Sequence, residues 1–352
     1  MAQDKTKLYK TRLAILWVAF AAVFFVSFLL GRYAVSLRDL FGILTARVCE
    51  LINAVFGSSL SVTQTWTAAE ASVVLKIRLP RVALSALVGA ALSTAGTAYQ
   101  GMFCNPMVSP DILGASHGAG FGAALGILLS FGYFGITVSA FLFGVAAVAL
   151  AWGISRVSRM SGTLSMVLAG IVVGSLFSAG TSFIKLIADT NDQLPAITYW
   201  LMGSLASAKN RDLLFALIPI AVGTVPLFLL RWRINILTLG EEEAKSLGVN
   251  TNALRLAVIV CATLCTSASV AVSGMIGWVG LVIPHFARML FGHDYKRLIP
   301  VSALLGALFL MIVDNVARIA SAGEIPLGIL TALVGAPVFV WLIMKGGSDR
   351  EH

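Results

Sequence analysis

Charged residues are scarce in this chain. Only 12% of its 352 residues are Asp, Glu, Lys or Arg, whereas an ordinary soluble domain carries about 25%. Hydrophobic residues make up 58%, and the mean hydropathy is +0.92. So few charges cannot cover the water-facing surface of a chain this long, which excludes an ordinary soluble protein. The composition predicts a protein whose solvent is the lipid bilayer.

The residue patterns of common catalytic and metal sites are also missing. The sequence contains no Gly-Lys dipeptide, so the phosphate-binding loop of a P-loop ATPase is excluded, and it contains no HExxH pattern. Its four cysteines form no CxxC pair, and we interpret Cys261 and Cys265 as small buried hydrophobic residues. We therefore predict no catalytic residue, no metal site and no cofactor bound by this chain. If ATP is used, another chain must hydrolyse it.

Long apolar segments are abundant instead. Charge-poor stretches recur from residue 13 to residue 344, and two of them, 112–155 and 256–287, are too long for one crossing. Divided near Gly132–Gly135 and Gly274–Gly280, they predict ten transmembrane helices that end near residues 31, 104, 130, 155, 188, 230, 273, 291, 318 and 345. The predicted fold class is an all-α, polytopic membrane protein with a single transmembrane domain over 1–352.

The net charge of +9 belongs to loops rather than to a nucleic-acid surface. The cations flank apolar runs and do not cluster on one segment, which is typical of the positive-inside rule. The bias predicts that both termini are cytoplasmic, that 33–77 is external with an amphipathic stretch at Leu37–Val55, and that 232–252 is a cytoplasmic loop. We expect no nucleic-acid partner.

Ionisable residues inside apolar runs are costly in lipid and are candidates for function. The sequence has four of them: Asp111, Lys185, Asp314 and Arg318. Asp314 and Arg318 stand four residues apart on one helix face, so mutual pairing is as good an interpretation as a functional role. For the histidines, a packed side chain is favoured over a proton or metal relay.

The segment Leu239–Val249 predicts a short amphipathic helix. Three acids, Glu241–Glu243, suit the first turn of a helix, and Gly248 suits its C-terminal cap. The segment is either a solvated loop or a docking helix for a cytoplasmic partner.

Pairs of small residues four positions apart recur along the apolar runs, and they let helices approach closely in lipid. They are Gly89–Ser93, Gly118–Gly122, Gly170–Gly174 and Ser178–Ser182. Close packing explains most of them, and a few could instead line a pore.

Several motifs together resemble the FecCD-type permeases of ABC importers, which carry iron siderophores, haem and cobalamin. In order along the chain they are Arg78-Leu79-Pro80-Arg81 leading into Gly89–Ser93, Asn105-Pro106-Met107 with Pro110–Gly114, Leu239–Val249, Gly277–His285 continuing to Arg288, Glu324–Gly328, and Gly335-Ala336-Pro337. The resemblance runs from about residue 78 to 345. Residues 1–60 match in hydropathy only.

The resemblance implies a type II ABC importer permease fold, agreeing with the ten predicted helices. It further implies a homodimer, two cytoplasmic ATPase subunits that hold ATP and Mg, an external solute-binding protein, and a place in the bacterial inner membrane. The expected function is import of a metal chelate, with a ferric siderophore favoured and haem or cobalamin as the alternative. Small oxyanions are also carried within the family, so the substrate stays open. An ion-coupled secondary transporter is a remote alternative, and no residue constellation of an intramembrane enzyme is evident.

The resemblance also assigns site residues. Outer-face arginines with exposed guanidinium groups would dock the solute-binding protein: Arg78, Arg81 and Arg318. The coupling helix for the ATPase would include Leu239, Gly240, Glu241, Glu242, Glu243, Lys245, Leu247 and Gly248. Pathway and gate residues would be Asn105, Met107, Ser161, Gly162, Thr163, Gly170, Gly174 and Ser178. Residues 198–207 would form a short half-helix at the outer mouth. Tyr199, Met202 and His117 remain candidates for haem ligands.

Overall fold

The computed structural model describes residues 2–31, 33–158, 163–321 and 323–348, and these ranges contain helices and no strand. In chain order the helices are α1 (Ala2–Leu29), α2 (Leu37–Phe56), α3 (Ala68–Ser72), a π-helical turn (Val73–Arg78), α4 (Leu79–Met102), α5 (Ala115–Leu128), α6 (Tyr133–Val157), α7 (Thr163–Ile187), α8 (Gln193–Met202), α9 (Asn210–Leu237), α10 (Glu241–Ser246), α11 (Thr251–Ser273), α12 (Val279–Phe291), α13 (Tyr295–Ala320) and α14 (Leu327–Ser348).

The ten predicted crossings correspond to α1, α4, α5, α6, α7, α9, α11, α12, α13 and α14. Among the described residues, six of these helices are long and apolar enough to cross a bilayer on length and composition alone, and α12 and α14 supply shorter apolar helices. The polytopic all-α prediction is confirmed. The largest boundary error is in α9, which continues to Leu237 instead of ending near residue 230. Arg231 and Arg233 extend it because a long arginine stem can lie along apolar surface while its charge reaches water.

The predicted amphipathic stretch at Leu37–Val55 is the helix α2. The Ser36 side chain begins it by accepting a hydrogen bond from the Asp39 backbone N–H at 3.1 Å. Leu40 and Ile43 on its inner side are buried in one cluster with Phe28 of α1 and Val74 of the π-helical turn. Burial of this face fixes the segment 37–78 over one end of α1.

Glycines hold α4 against its neighbours, at Gly89 of a predicted small-residue pair and at Gly96. A Cβ atom added to Gly89 would lie 2.2 Å from the Gly306 carbonyl oxygen of α13. One added to Gly96 would lie 1.9 Å from the Gly280 carbonyl oxygen of α12. No side chain fits at such distances, so glycine at these positions is what lets three helices pack at backbone contact.

The half-helix predicted at 198–207 is displaced. It is α8, Gln193–Met202. Pro195 is tolerated in its first turn, where no intrahelical N–H bond is needed, and Gly203 ends it with a positive φ of 75°.

The two ends of α9 define two opposite faces of the helix bundle. Helix α8 precedes the start of α9, and α10 follows its end. The Leu327 N–H donates to the Gly203 carbonyl at 2.8 Å, which places the start of α14 beside α8. The Tyr295 N–H donates to Asn235 Oδ1 at 3.1 Å, which places the start of α13 near α10. We call these the α8 face and the α10 face.

Candidate functional site

Helix α10 is anchored to the bundle by one side. Ala244 is fully buried, and Glu241 bonds Lys245 Nζ at 2.8 Å and Arg255 Nη2 of α11 at 2.9 Å. The hydrogen bond from Lys245, with the attraction of Arg255, lowers the pKa of Glu241. The carboxylate is therefore charged at neutral pH and joins α10 to α11.

The cap of α10 has the predicted form. The Gly248 N–H donates to the Lys245 carbonyl at 2.9 Å, and the Val249 N–H donates to the Ala244 carbonyl at 3.0 Å. Gly248 has a positive φ of 79°, which together with these two bonds makes a Schellman cap. The short helix predicted at Leu239–Val249 is confirmed.

The other side of α10 is exposed. Leu239 is 63% exposed and Leu247 is 59% exposed, and Glu242 and Glu243 are exposed beside them. Two large apolar side chains that flank the acids of this short helix make a surface suited to a protein partner. The partner itself stays a prediction.

A cavity of about 580 Å³ runs along α7. It brings together three of the predicted pathway residues, Gly170, Gly174 and Ser178, with the hydroxyls of Ser175 and Ser182. A Cβ atom on Gly170 would lie 2.2 Å from the Ile112 carbonyl oxygen, so α7 packs directly on the turn that precedes α5. The wall of this cavity combines small residues and hydroxyl groups with the apolar side chains of Ile112 and Ile171.

Asp111 and His117 complete that wall. The Asp111 carboxylate accepts a hydrogen bond from the Ser116 N–H at 2.8 Å, and its other oxygen lies 3.6 Å from His117 Nδ1. Both side chains are partly exposed, at 33% and 40%. Their spacing of six residues is not a helical spacing, and the turn that ends at Gly114 is what brings them together. Sequence reasoning singled out each residue and missed the pair.

The other two candidate haem ligands lie on α8. Tyr199 lines a separate cavity of about 420 Å³. The cavity along α7 contains neither Tyr199 nor Met202 among its described lining residues. The structure thus does not bring the three candidate haem ligands into one cavity.

The predicted gate residues lie near the α10 face. Asn105 Oδ1 accepts a hydrogen bond from the Met107 N–H at 2.9 Å, which folds a tight turn after α4. The Met107 side chain is 49% exposed, so it is available as an apolar plug. Thr163 lines a further cavity of about 330 Å³, and Ser161 and Gly162 lie outside the described residues. Their gating role stays a prediction.

The three arginines expected to be exposed are buried. Arg78, Arg81 and Arg318 are 4%, 5% and 8% exposed. Arg81 Nε lies 2.9 Å from Asp314 Oδ1, and its Nη1 lies 3.0 Å from Glu324. The expectation of free guanidinium forks is wrong, because a charge within a membrane protein is stabilised only by partners.

The remaining contacts of these arginines reach α1. Arg78 donates to the carbonyls of Phe28 and Tyr33. Arg318 donates to the Ser27 carbonyl at 3.1 Å and pairs with Asp314 at 3.3 Å, so the predicted Asp314–Arg318 pairing is confirmed. The cluster ties α1, α4 and α13 to the segment before α14 at the α8 face.

Known proteins resemble this chain in sequence and in fold. The family model of the FecCD transport family matches residues 17–345. A molybdate import system permease protein of Haemophilus influenzae is 40% identical over 325 residues, covering 91% of this chain and 92% of its own. A probable iron chelatin transport system permease protein of Helicobacter pylori is 42% identical over 273 residues, covering 78% of this chain and 82% of its own.

A solved structure extends the likeness to the fold. It is described as an inward-facing conformation of a metal-chelate type ABC transporter, and it superimposes with a TM-score of 0.81 at 38% identity over 96% of this chain and 99% of that one. This chain therefore belongs to the FecCD transport family and is a multi-pass membrane permease of the ABC transporter type.

Proposed function

We propose that this chain is the membrane-spanning subunit of an ATP-driven importer in a bacterial inner membrane. Two copies form the pathway, two ATPase subunits dock on the α10 face in the cytoplasm, and a solute-binding protein docks on the α8 face outside. Both termini are then cytoplasmic. The observation that carries the proposal is α10, a capped helix that is fixed to α11 by one side and presents exposed leucines and acids on the other.

Coupling follows from that attachment. ATP and Mg bound by the ATPase subunits close those subunits, and the closure moves α10. Because Glu241 is bonded to Arg255, movement of α10 is passed to α11. Helix α11 packs beside α4 and α9 in the main core cluster, so its displacement reaches the turn that carries Asn105 and Met107. This chain makes and breaks no covalent bond in the cycle.

The pathway lies between the α7 cavities of the two copies. Gly170, Gly174 and Ser178 line it, and Met107, with the segment Ser161–Thr163, closes its cytoplasmic end. The Asp111–His117 pair is the only ionisable pair among the described lining residues of this cavity. The carboxylate and imidazole of this pair, with the serine hydroxyls of α7, give the solute hydrogen-bonding partners beside an apolar surface.

The arginine cluster acts in docking by shaping the outer surface. Direct capture of a partner carboxylate by Arg81 would have to displace Asp314 or Glu324, which already hold its guanidinium. Fixing α1, α4, α13 and the segment before α14 in one arrangement instead keeps the α8 face ready for the binding protein.

For the solute, we propose a metal-centred polar species, with a ferric siderophore first. The iron chelatin relative supports this choice, and haem or cobalamin is the alternative. Molybdate is a second candidate because the relative named for it covers nearly the whole chain. An ion-coupled mechanism is disfavoured because Asp314 is held by two arginines and is not free to carry an ion.

Co-purification tests the ATPase partner. The chain should retain a P-loop ATPase, and the combined change Glu242→Ala, Glu243→Ala and Leu247→Ala should release it, because these side chains are exposed on α10. The matched control is Glu50→Ala, an exposed acid of α2 that should leave the complex intact. Equal retention of the ATPase by both variants would contradict the assignment of α10.

The solute is tested separately. The solute-binding protein that associates with the α8 face is purified, and the metal it carries is identified by mass spectrometry. Iron held in an organic chelate supports the first candidate, molybdenum supports the second, and a porphyrin or corrin ring supports the alternative.

A further inference from the structure

A second groove lies between α6 and α11, away from the α7 cavity. Its volume is about 240 Å³, and it is lined by apolar side chains with one threonine. On α6 the lining side chains include Val145, Ala149 and Trp152, which recur at helical spacing. The small side chain of Ala149 stands between two larger ones and makes the depression.

A polar cavity of about 330 Å³ continues this groove at the α10 face. The two cavities share three lining residues, Trp152, Leu256 and Ile259. The polar cavity adds Ser155 and Arg156 from the end of α6 and Asn252 and Arg255 from the start of α11. It also borders the gate candidate Thr163 and Met166 of α7. One continuous surface therefore runs from an apolar groove to a cationic end.

Two guanidinium groups serve the cationic end. Arg156 is exposed and lies 4.9 Å from the centre of the Trp152 ring. Arg255 binds Glu241 through Nη2, while its Nε is buried with no hydrogen-bond partner among the described residues. An unpartnered buried N–H is costly and points to an acceptor that the chain does not supply. Glu241 is the only acidic residue in the described lining, so the end has a net positive charge.

The length of the surface matches one membrane leaflet. Val145 and Arg156 lie on the same helix, and eleven steps of about 1.5 Å separate them by roughly 16 Å. Half of a hydrocarbon core of about 30 Å is roughly 15 Å. The surface from Val145 to Arg156 thus has the length of one acyl-chain layer, which puts the arginines at headgroup depth when Val145 lies near the midplane.

We propose that this groove binds an anionic phospholipid of the leaflet on the α10 face. One acyl chain lies between α6 and α11, and the phosphate accepts hydrogen bonds from Arg156, Arg255 and Asn252. Basic pockets between transmembrane helices are suited to anionic headgroups in this way. Because Arg255 also holds Glu241, the bound lipid fixes the residue that joins α10 to α11. Lipid binding is independent of the proposed import function, and only its effect on coupling rests on that function.

Native mass spectrometry of the purified full chain tests the site with dioleoylphosphatidylglycerol as the probe and dioleoylphosphatidylcholine as the neutral comparison. We expect selective retention of the anionic lipid. Arg156→Gln should weaken it by about five-fold, which corresponds to roughly 1 kcal/mol for one cation at the membrane surface. Ala149→Phe should fill the groove and remove the lipid without changing any charge.

The controls separate this site from general attraction. Arg233→Gln removes an exposed cation at the end of α9 that is not among the described lining residues, and it should leave retention unchanged. Equal retention of the two lipids, or equal loss in Arg156→Gln and Arg233→Gln, would overturn the proposal. Binding of soluble glycerol 1-phosphate as strong as that of the lipid would overturn it too, because the groove would then contribute nothing. If Ala149→Phe fails to fold, Arg156→Gln still tests the proposal, since the Arg156 side chain is exposed and its replacement should not disturb folding.

Discussion

Arg81 and Asp314 form a close ion pair between α4 and α13, with Nε and Nη2 of the guanidinium each 2.9 Å from Oδ1 of the carboxylate and Nε also 3.1 Å from Oδ2. Both side chains are almost fully buried, at 6% and 1% exposure. Asp314 also faces Arg318, so its single negative charge holds two cations. The pair fixes the α8 face of the permease.

Removal of the Asp314 charge should destabilise the protein strongly. Asp314→Asn leaves the buried Arg318 without its ion-pair partner and leaves Arg81 with Glu324 alone, and breaking a buried ion pair costs about 3–5 kcal/mol. The midpoint of thermal unfolding in detergent should fall clearly. The control Glu50→Gln breaks an exposed pair with Arg47, which is worth about 0–1 kcal/mol. A similar midpoint for both variants would show that the Arg81–Asp314 pair does not hold the fold.

The Glu241–Arg255 contact should govern coupling rather than stability. Both side chains are partly exposed, at 36% and 19%, so their loss should change stability by no more than about 1 kcal/mol. Glu241→Arg should lower the solute transported per ATP hydrolysed, because α10 and α11 then repel each other. The exchange Glu241→Arg with Arg255→Glu should restore part of that ratio in proteoliposomes. No restoration would mean that the contact is not the connection between the two helices.

The same contact predicts a pH response. The pKa of Glu241 is lowered by its bond to Lys245 and by Arg255. The charged carboxylate therefore stabilises the α10–α11 contact fully above the ordinary pKa range of glutamate, and this stabilisation is lost as the pH falls through the lowered pKa. Transport per ATP should therefore stay constant from neutral to mildly acidic pH. If transport per ATP fell within that pH interval in the native protein and not in Glu241→Gln, the pKa of Glu241 would be raised, which would contradict the structure.

Glycine at the α4–α12 contact should be irreplaceable. In Gly96→Ala the new methyl group would meet the Gly280 backbone, and overpacking of this kind costs about 1–3 kcal/mol or more. The control is Gly153→Ala on α6, where no atom lies within 4 Å of an added Cβ. There alanine should stabilise the helix by about 0.5–1 kcal/mol. Opposite shifts in unfolding midpoint are expected, and shifts of the same sign would contradict the close approach of the two backbones.

Filling the α7 cavity should block transport. Ser178→Phe places a ring among the lining residues, and uptake should be lost while the chain still binds its ATPase. Leu176→Phe alters an exposed position of the same helix that is outside the described cavity lining, so uptake should persist. Retained uptake in Ser178→Phe would place the pathway elsewhere.

The helices could be predicted from the sequence because each apolar run by itself indicates a segment that is buried in lipid. The runs that became α11 and α12 were separated correctly at Gly274, and the cap of α10 could be predicted from Glu241–Glu243 and Gly248. These features depend on residues close together in the chain. The end of α9 was missed because charge was taken as the limit of the helix, whereas Arg233 lies within it.

Long-range partners could not be predicted in the same way. Nothing near Arg81 in sequence indicates Asp314, 233 residues away, so an arginine that is buried and paired looked like one that is exposed. The surface shared by Arg156 and Arg255 also depends on how helices meet, and the Asp111–His117 pair depends on the conformation of the turn that ends at Gly114. The resemblance supplied the family and the order of motifs, and the geometry corrected the exposure of the arginines.

The most direct test is uptake into proteoliposomes that contain this chain with or without its purified ATPase partner, with the loaded solute-binding protein present on the α8 side. We predict accumulation of solute when the ATPase and ATP are present on the α10 side, and none when either is left out. Accumulation without the ATPase would contradict the proposal that α10 is moved by an ATP-hydrolysing partner.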